Sequence, residues 1–167
     1  MEGAIHVKKH VKGFTMIELI IVIAIIGIFT ALSTISLNYI HAGNIKSSAQ
    51  KVNRALTELK MDTMSRDKKS YMYLYKKGSN YYMWCTTNDT FSADSAAGER
   101  IGNSSTTITF NGSELKDGEC KQISYLKSSG AFAKGTPSNI TFSKDNGDFK
   151  YVVTLVVNTG KHYIDKV

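Results

Sequence analysis

Glu18 stands at the edge of a long apolar run. It is followed by Leu19-Ile20-Ile21-Val22-Ile23-Ala24-Ile25-Ile26-Gly27-Ile28-Phe29, and no formally charged residue occurs between Leu19 and Ile45. A charge at the centre of a bilayer costs about 2.5–3.5 kcal/mol on insertion scales, and less near the interface. An acid in this position is therefore a candidate for a specific pairing role rather than a solvated surface group. The other residues able to do chemistry are sparse. Cys85 and Cys120 are too few for a four-thiolate zinc site, and His6, His10, His41 and His162 are scattered. Asp145 and Asp148 flank Asn146-Gly147, a pattern better explained by a hairpin turn than by a calcium loop. No spaced Ser/His/Asp set, phosphate-binding loop or metal motif is present. The sequence assigns no catalytic residue, no metal ligand and no cofactor, and points away from an enzyme.

The elements that position Glu18 are legible in the composition. The chain has 167 residues, enough for one ordinary domain, with 42% hydrophobic and 21% charged residues. That balance excludes global disorder. One proline and 13 glycines exclude collagen-like and proline-rich readings. The mean hydropathy of −0.19 averages two unlike parts. In the first, Lys8, Lys9 and Lys12 precede the apolar run and only Glu2 opposes them. A helix of about 20 apolar residues spans the hydrocarbon core of a bilayer, and positive flanks stay cytoplasmic. The rest of the chain is then expected outside. A cleavable secretory signal is the alternative, with 19–32 as its apolar region and Ala31-Leu32-Ser33 as the cut. Such a signal gains nothing from Glu18.

Lys12-Gly13-Phe14-Thr15-Met16-Ile17-Glu18-Leu19-Ile20 resembles the prepilin signature of type IV pilins and pseudopilins. That signature is a short basic leader ending in Gly, then an apolar aromatic residue, with Glu as the fifth mature residue. The resemblance implies that a prepilin peptidase cuts between Gly13 and Phe14, where glycine offers no obstructing side chain. It implies methylation of the new Phe14 amine, retention of the apolar helix, and pairing of Glu18 with the Phe14 amine of an adjacent subunit. In low dielectric such a pair is worth far more than in water, and an unpaired carboxylate is penalised. The chain departs from many members at Ile35, where they carry a helix-kinking proline. Any bend would come from weaker helix formers: Gly27, Ser33, Thr34, Ser36, Asn38 and Gly43.

Beyond Gly43, Ile45, Ala49, Val52, Leu56 and Leu59 recur in steps of four and three, one stripe of a helix that continues to near Asp67. From Tyr71 the period becomes two. Tyr71–Tyr75 and Tyr81–Cys85 flank Lys76-Lys77-Gly78-Ser79-Asn80 as a hairpin. Further strands are expected at Thr106–Phe110, Lys121–Leu126, Asn139–Ser143, Phe149–Val157 and His162–Ile164. The stretch Thr86–Ser105 reads as a surface loop. The fold expected is α+β and pilin-like: a long N-terminal helix, half membrane and half amphipathic, packed on a small antiparallel β-rich head. The divisions are leader 1–13, transmembrane and assembly helix 14–40, amphipathic continuation 41–67, and exported head 68–167.

An oxidising exterior permits a Cys85–Cys120 disulfide worth roughly 3–4 kcal/mol on the chain-entropy model; two free thiols are the alternative. Tyr71, Tyr73 and Tyr75 share one strand face, read as packed within the head. Four Asn-x-Ser/Thr matches (Asn88, Asn103, Asn111 and Asn139) read as incidental in an Asn/Ser/Thr-rich chain. Removing Lys8, Lys9, Lys12 and Glu2 with the leader leaves 18 basic and 13 acidic residues. Lys161, His162 and Lys166 then form a candidate DNA contact, with Asp165 among them and a solvated face as the alternative.

The reading is a minor pilin-like or pseudopilin subunit of the bacterial cytoplasmic membrane, with leader inside and head outside. Its partners are prepilin peptidase, other pilin or pseudopilin subunits and the membrane, and it ends in an envelope-spanning filament for secretion, adhesion and motility, or DNA uptake. The rivals are a DNA-binding competence pilin and an anchored exported domain that never polymerises. The sequence does not choose among pilus, secretion and competence systems.

Overall fold

The computed structural model describes residues 13–66, 68–92, 97–144 and 149–167, with the side chains of 33–39 outside the description. The leader lysines Lys8, Lys9 and Lys12 and the expected turn 145–148 lie outside the described residues. The elements are α1 (Met16–Ser65), β1 (Tyr71–Lys77), β2 (Asn80–Thr86), β3 (Glu99–Gly102), β4 (Thr106–Phe110), β5 (Ser113–Glu114), β6 (Cys120–Ser124), β7 (Asn139–Lys144), β8 (Tyr151–Val156) and β9 (Lys161–Lys166). The chain divides into two compact units, the first ending at Asn38 and the second Tyr39–Val167.

In the first unit α1 presents its described side chains, Met16 to Leu32, to the surroundings on every face. Ile20, Ile23, Ile26 and Phe29 are 55–66% exposed. A helix apolar all round has no face of its own to bury and needs a non-aqueous or helical environment.

In the second unit the amphipathic stripe does what its spacing predicts. Ile45, Ala49, Val52, Leu56 and Leu59 are buried to 3% exposure or less, and Ser48, Ala55 and Thr63 join them. They pack beneath two antiparallel sheets, one ordered β3-β2-β1-β6 and the other β5-β4-β7-β8-β9. Met72, Leu74, Met83 and Ile123 come from the first sheet and Ile108, Phe110, Ile140, Phe142, Val153 and Leu155 from the second, in one continuous core. The chain passes between the sheets: β1–β3 lie in the first, β4 and β5 in the second, β6 returns to the first, and β7–β9 complete the second.

The β1–β2 hairpin closes more tightly than the sequence suggests, with Lys77 opposite Asn80 and Gly78 at φ 61. The expected loop 86–105 needs correction: Glu99–Gly102 forms an edge strand on β2. Its one apolar residue, Ile101, gives no period-two signal, yet Ile101 is buried, and its carbonyl accepts a hydrogen bond from the Ser48 hydroxyl of α1. Met72 and Leu74 point toward α1, so the alternate residues of β1 occupy the other face. There Tyr73 and Tyr75 are buried under Phe91, whose ring lies 5.2 and 5.0 Å from theirs. The tyrosine face is packed within the head, as expected. Two of the four Asn-x-Ser/Thr matches also do structural work. Asn103 Oδ1 accepts from Ser105 N and Oγ at 3.2 and 2.8 Å. Asn111, at φ 49, accepts from Ser138 N and Asn139 N, both at 3.0 Å.

The disulfide expectation is overturned: Cys85 and Cys120 are free. Cys85 on β2 sits opposite Met72, and Cys120 on β6 sits opposite Tyr75 on the other side of β1. Two strand spacings, roughly 10 Å, separate them laterally. The three-residue offset between Met72 and Tyr75 also sends the two side chains to opposite faces. A bridge needs Cα atoms about 4.4–6.8 Å apart.

Candidate functional site

The chain enters α1 through three non-helical residues, Gly13, Phe14 and Thr15. Thr15 is the N-cap. Its hydroxyl accepts from Glu18 N at 3.3 Å, while its own N–H and hydroxyl both donate to Glu18 Oε2 at 2.8 Å. This is a reciprocal capping box, and it satisfies helix-start donors that would otherwise be orphaned. It fixes the carboxylate over the first turn, with both donors on one oxygen. Thr15-Met16-Ile17-Glu18 carries the S/T-x-x-E signal for this arrangement, so Thr15 is a residue that sequence reasoning overlooked.

Phe14 is 88% exposed. A Cβ built on Gly13 would meet nothing within 4 Å, and Gly13 is not in the left-handed region. Among the described residues nothing therefore demands glycine at 13. Further along, the Thr30 hydroxyl donates back to Ile26 O at 3.0 Å and Gly27 O at 2.9 Å, so this hydroxyl needs no outside partner. Among the described residues no helix is both long and apolar enough to cross a membrane. The fully described apolar segment, 16–32, sits at the lower limit of the roughly 17–25 residues a span requires.

Comparison with family profiles matches residues 8–34 to the prokaryotic N-terminal methylation motif. These residues are the signature of type IV pilins and pseudopilins. Gly13, Phe14 and Glu18 all fall inside the matched segment, and the α+β architecture of the head is pilin-like. Comparison with curated proteins and with solved structures gives no match.

The structure does not bring the candidate DNA contacts together. On β9, His162 pairs with Leu155 and Ile164 with Val153, both partners buried, so His162, Ile164 and Lys166 share the inner face. Lys161 lies on the opposite face, and five residues, roughly 17 Å of strand, separate it from Lys166. His162 is turned against α1, where Nε2 lies 3.0 Å from Thr57 Oγ1. Both thiols are held above the usual thiol range. Cys85 is exposed and lines the cleft between α1 and β2. Loss of water, then the charges of Glu58, Asp62 and Glu99, push it up to about 11. Burial also raises Cys120.

Proposed function

We propose that the chain is the precursor of a minor type IV pilin-like or pseudopilin subunit. It inserts in the bacterial cytoplasmic membrane through the apolar part of α1, with the leader inside. It is cut after Gly13, methylated on Phe14, and assembled into an envelope-spanning filament by neighbours that pair with Glu18. The observation that carries this reading is the register of the N-terminal segment. The methylation motif, the non-helical Gly13-Phe14 pair and the capped Glu18 coincide ahead of a helix apolar on every face.

Two further features support it. Among the described residues glycine at 13 has no structural reason, which fits a residue read by another protein. The uncharged sequence continues past Leu32 to Ile45, long enough for a membrane crossing. The head supplies a folded exterior domain, and we assign it no catalytic role.

The deciding measurement is the intact mass and N-terminal sequence of the chain purified from membranes of a host with an active prepilin peptidase. The expected product begins at methylated Phe14. A start at Met1 reduces the protein to an anchored domain, and a start at Thr34 makes it a secreted one; either result overturns the proposal.

A further inference from the structure

β9 ends the second sheet and leaves one side of itself open. All six of its residues pair with β8. One step beyond the last pair, Val167 N donates to Lys150 O at 3.0 Å. Hydrogen-bonded pairs alternate with open ones along an antiparallel ladder. Lys161, Tyr163 and Asp165 therefore turn their main-chain groups toward β8, while His162 and Ile164 turn theirs away from it. Leu155 agrees: it stands opposite His162, and its N–H donates to Ser138 O on the far side at 2.7 Å. Among the described residues no hydrogen bond reaches the main chain of His162 or Ile164 from that open side. A row of unpaired N–H and C=O groups of this kind is a template for one more strand.

The side chains of β9 select the strand that fits. Lys161, Tyr163 and Asp165 share the outer face and are all exposed. Among the described residues neither Lys161 nor Asp165 has an ion-pair partner in its own chain. A lone lysine on an edge strand discourages pairing, but here an acid stands four residues away on the same face. When two copies of β9 are set antiparallel with Tyr163 opposite Tyr163, Lys161 of each copy falls opposite Asp165 of the other. In that register His162 stands opposite Ile164, so the open main-chain groups of both copies meet as hydrogen-bonded pairs. Opposite charges directly across two strands stabilise them, and like charges do the reverse. The neighbouring antiparallel registers set Lys161 opposite Tyr163 or Val167 instead, and an in-register parallel pairing sets Lys161 beside Lys161.

We propose that β9 is a docking edge for a second copy of the same head, joined as a two-fold antiparallel strand pair centred on Tyr163. The second sheet of one copy then runs on into that of the other. The two-fold axis stands perpendicular to the sheet, so every direction in the plane of the sheet is reversed in the second copy. The head portion of α1 lies along the sheet, with Thr57 against His162 and Lys60 against Gly160, and is reversed with it. The contact therefore joins copies that point in opposite directions. It is not a contact between aligned neighbours of one filament, and it stands whether or not the chain is processed at Gly13.

The test is disulfide cross-linking of the full chain in detergent micelles, which leave both copies free to take opposite directions. In a Cys85→Ser, Cys120→Ser background, Tyr163→Cys places its two thiols across the axis at a Cα separation of about 4.5 Å, within reach of a bridge. Lys161→Cys places its two roughly 13 Å apart along the strands, too far for one. Tyr163→Cys is expected to give at least about fivefold more covalent dimer than Lys161→Cys. A mixture of Lys161→Cys and Asp165→Cys chains is expected to cross-link where neither does alone. Adding Lys161→Glu to Tyr163→Cys is expected to lower the yield about fivefold or more, and adding Asp165→Lys as well to restore it. In the unaltered chain, exchange of the His162 and Ile164 amides is expected to slow as the protein concentration rises, while that of Tyr163 does not change. Equal dimer from Tyr163→Cys and Lys161→Cys overturns the proposal, as does a charge reversal that fails to restore the yield. So does an adduct of Tyr163→Cys with a different protein when membranes are oxidised before extraction, which gives the edge to another partner.

Discussion

At the scale of single residues, Gly13 and Thr15 separate what the fold needs from what the proposed processing needs. Gly13→Ala meets no neighbour among the described residues and no forbidden backbone, so the variant is expected to fold and insert like the parent. Its processing, followed as the mobility shift on leader removal, is expected to slow at least about tenfold, a barrier change of about 1.4 kcal/mol. Normal cleavage of Gly13→Ala would show that the glycine is incidental. Thr15→Val removes two of the three capping-box hydrogen bonds at nearly constant volume. Loss of a cap costs about 1 kcal/mol, which should raise amide exchange of Met16–Leu19 about fivefold, with Thr15→Ser restoring protection. Glu18→Ala is expected to leave the membrane-inserted pool intact and deplete sheared filaments; undiminished filaments would remove the pairing role from Glu18. Gly160 is the converse of Gly13. It lies at φ 63 with the Gly130 carbonyl against the place a Cβ would occupy. Gly160→Ala is expected to cost about 1–3 kcal/mol from backbone strain, and more from the clash, read as a lower unfolding midpoint.

At the scale of elements, α1 and the strands show why some patterns are readable and others are not. Each apolar position in 45–59 falls on the buried face because helix spacing alone decides it, and β4 occupies Thr106–Phe110 as the alternation of Ile108 and Phe110 dictates. Leu56→Ala should therefore cost about 2–5 kcal/mol, measurable by denaturant unfolding, since Leu56 is fully buried among both sheets. What the sequence could not supply was which strand lies next to which. Cys85 and Cys120 satisfy every local condition for a bridge, yet β1 runs between their strands. Non-reducing mass analysis is expected to find two thiols on the monomer, and a loss of 2 Da would contradict the sheet order. His162 was misread for a related reason. Grouping it with Lys161 and Lys166 ignored the alternation of a strand, which sends neighbours in sequence to opposite faces.

For the whole molecule, the two ends of the chain were legible to different degrees. The N-terminal segment is read from consecutive residues, where glycine, aromatic, acid and apolar run must fall in register, and it needs no tertiary information. The head is assembled from pairings between distant residues, and its composition resembles many small β domains. The passage of the chain between its sheets has a consequence for how the head is completed. Sheet two cannot close its edge until β9, the last strand of the chain, has arrived, and sheet one waits on β6 for its own. The contacts that finish the head join residues such as Thr57 and His162, more than a hundred positions apart. Topologies of this kind fold slowly, because the loop entropy is lost before the contacts reward it. A chain extending only to β8 therefore lacks both the β9 edge strand and the Thr57–His162 contact. The head presents a finished surface only once its last strand is in place, and a chain cut short before β9 leaves the β8 edge open.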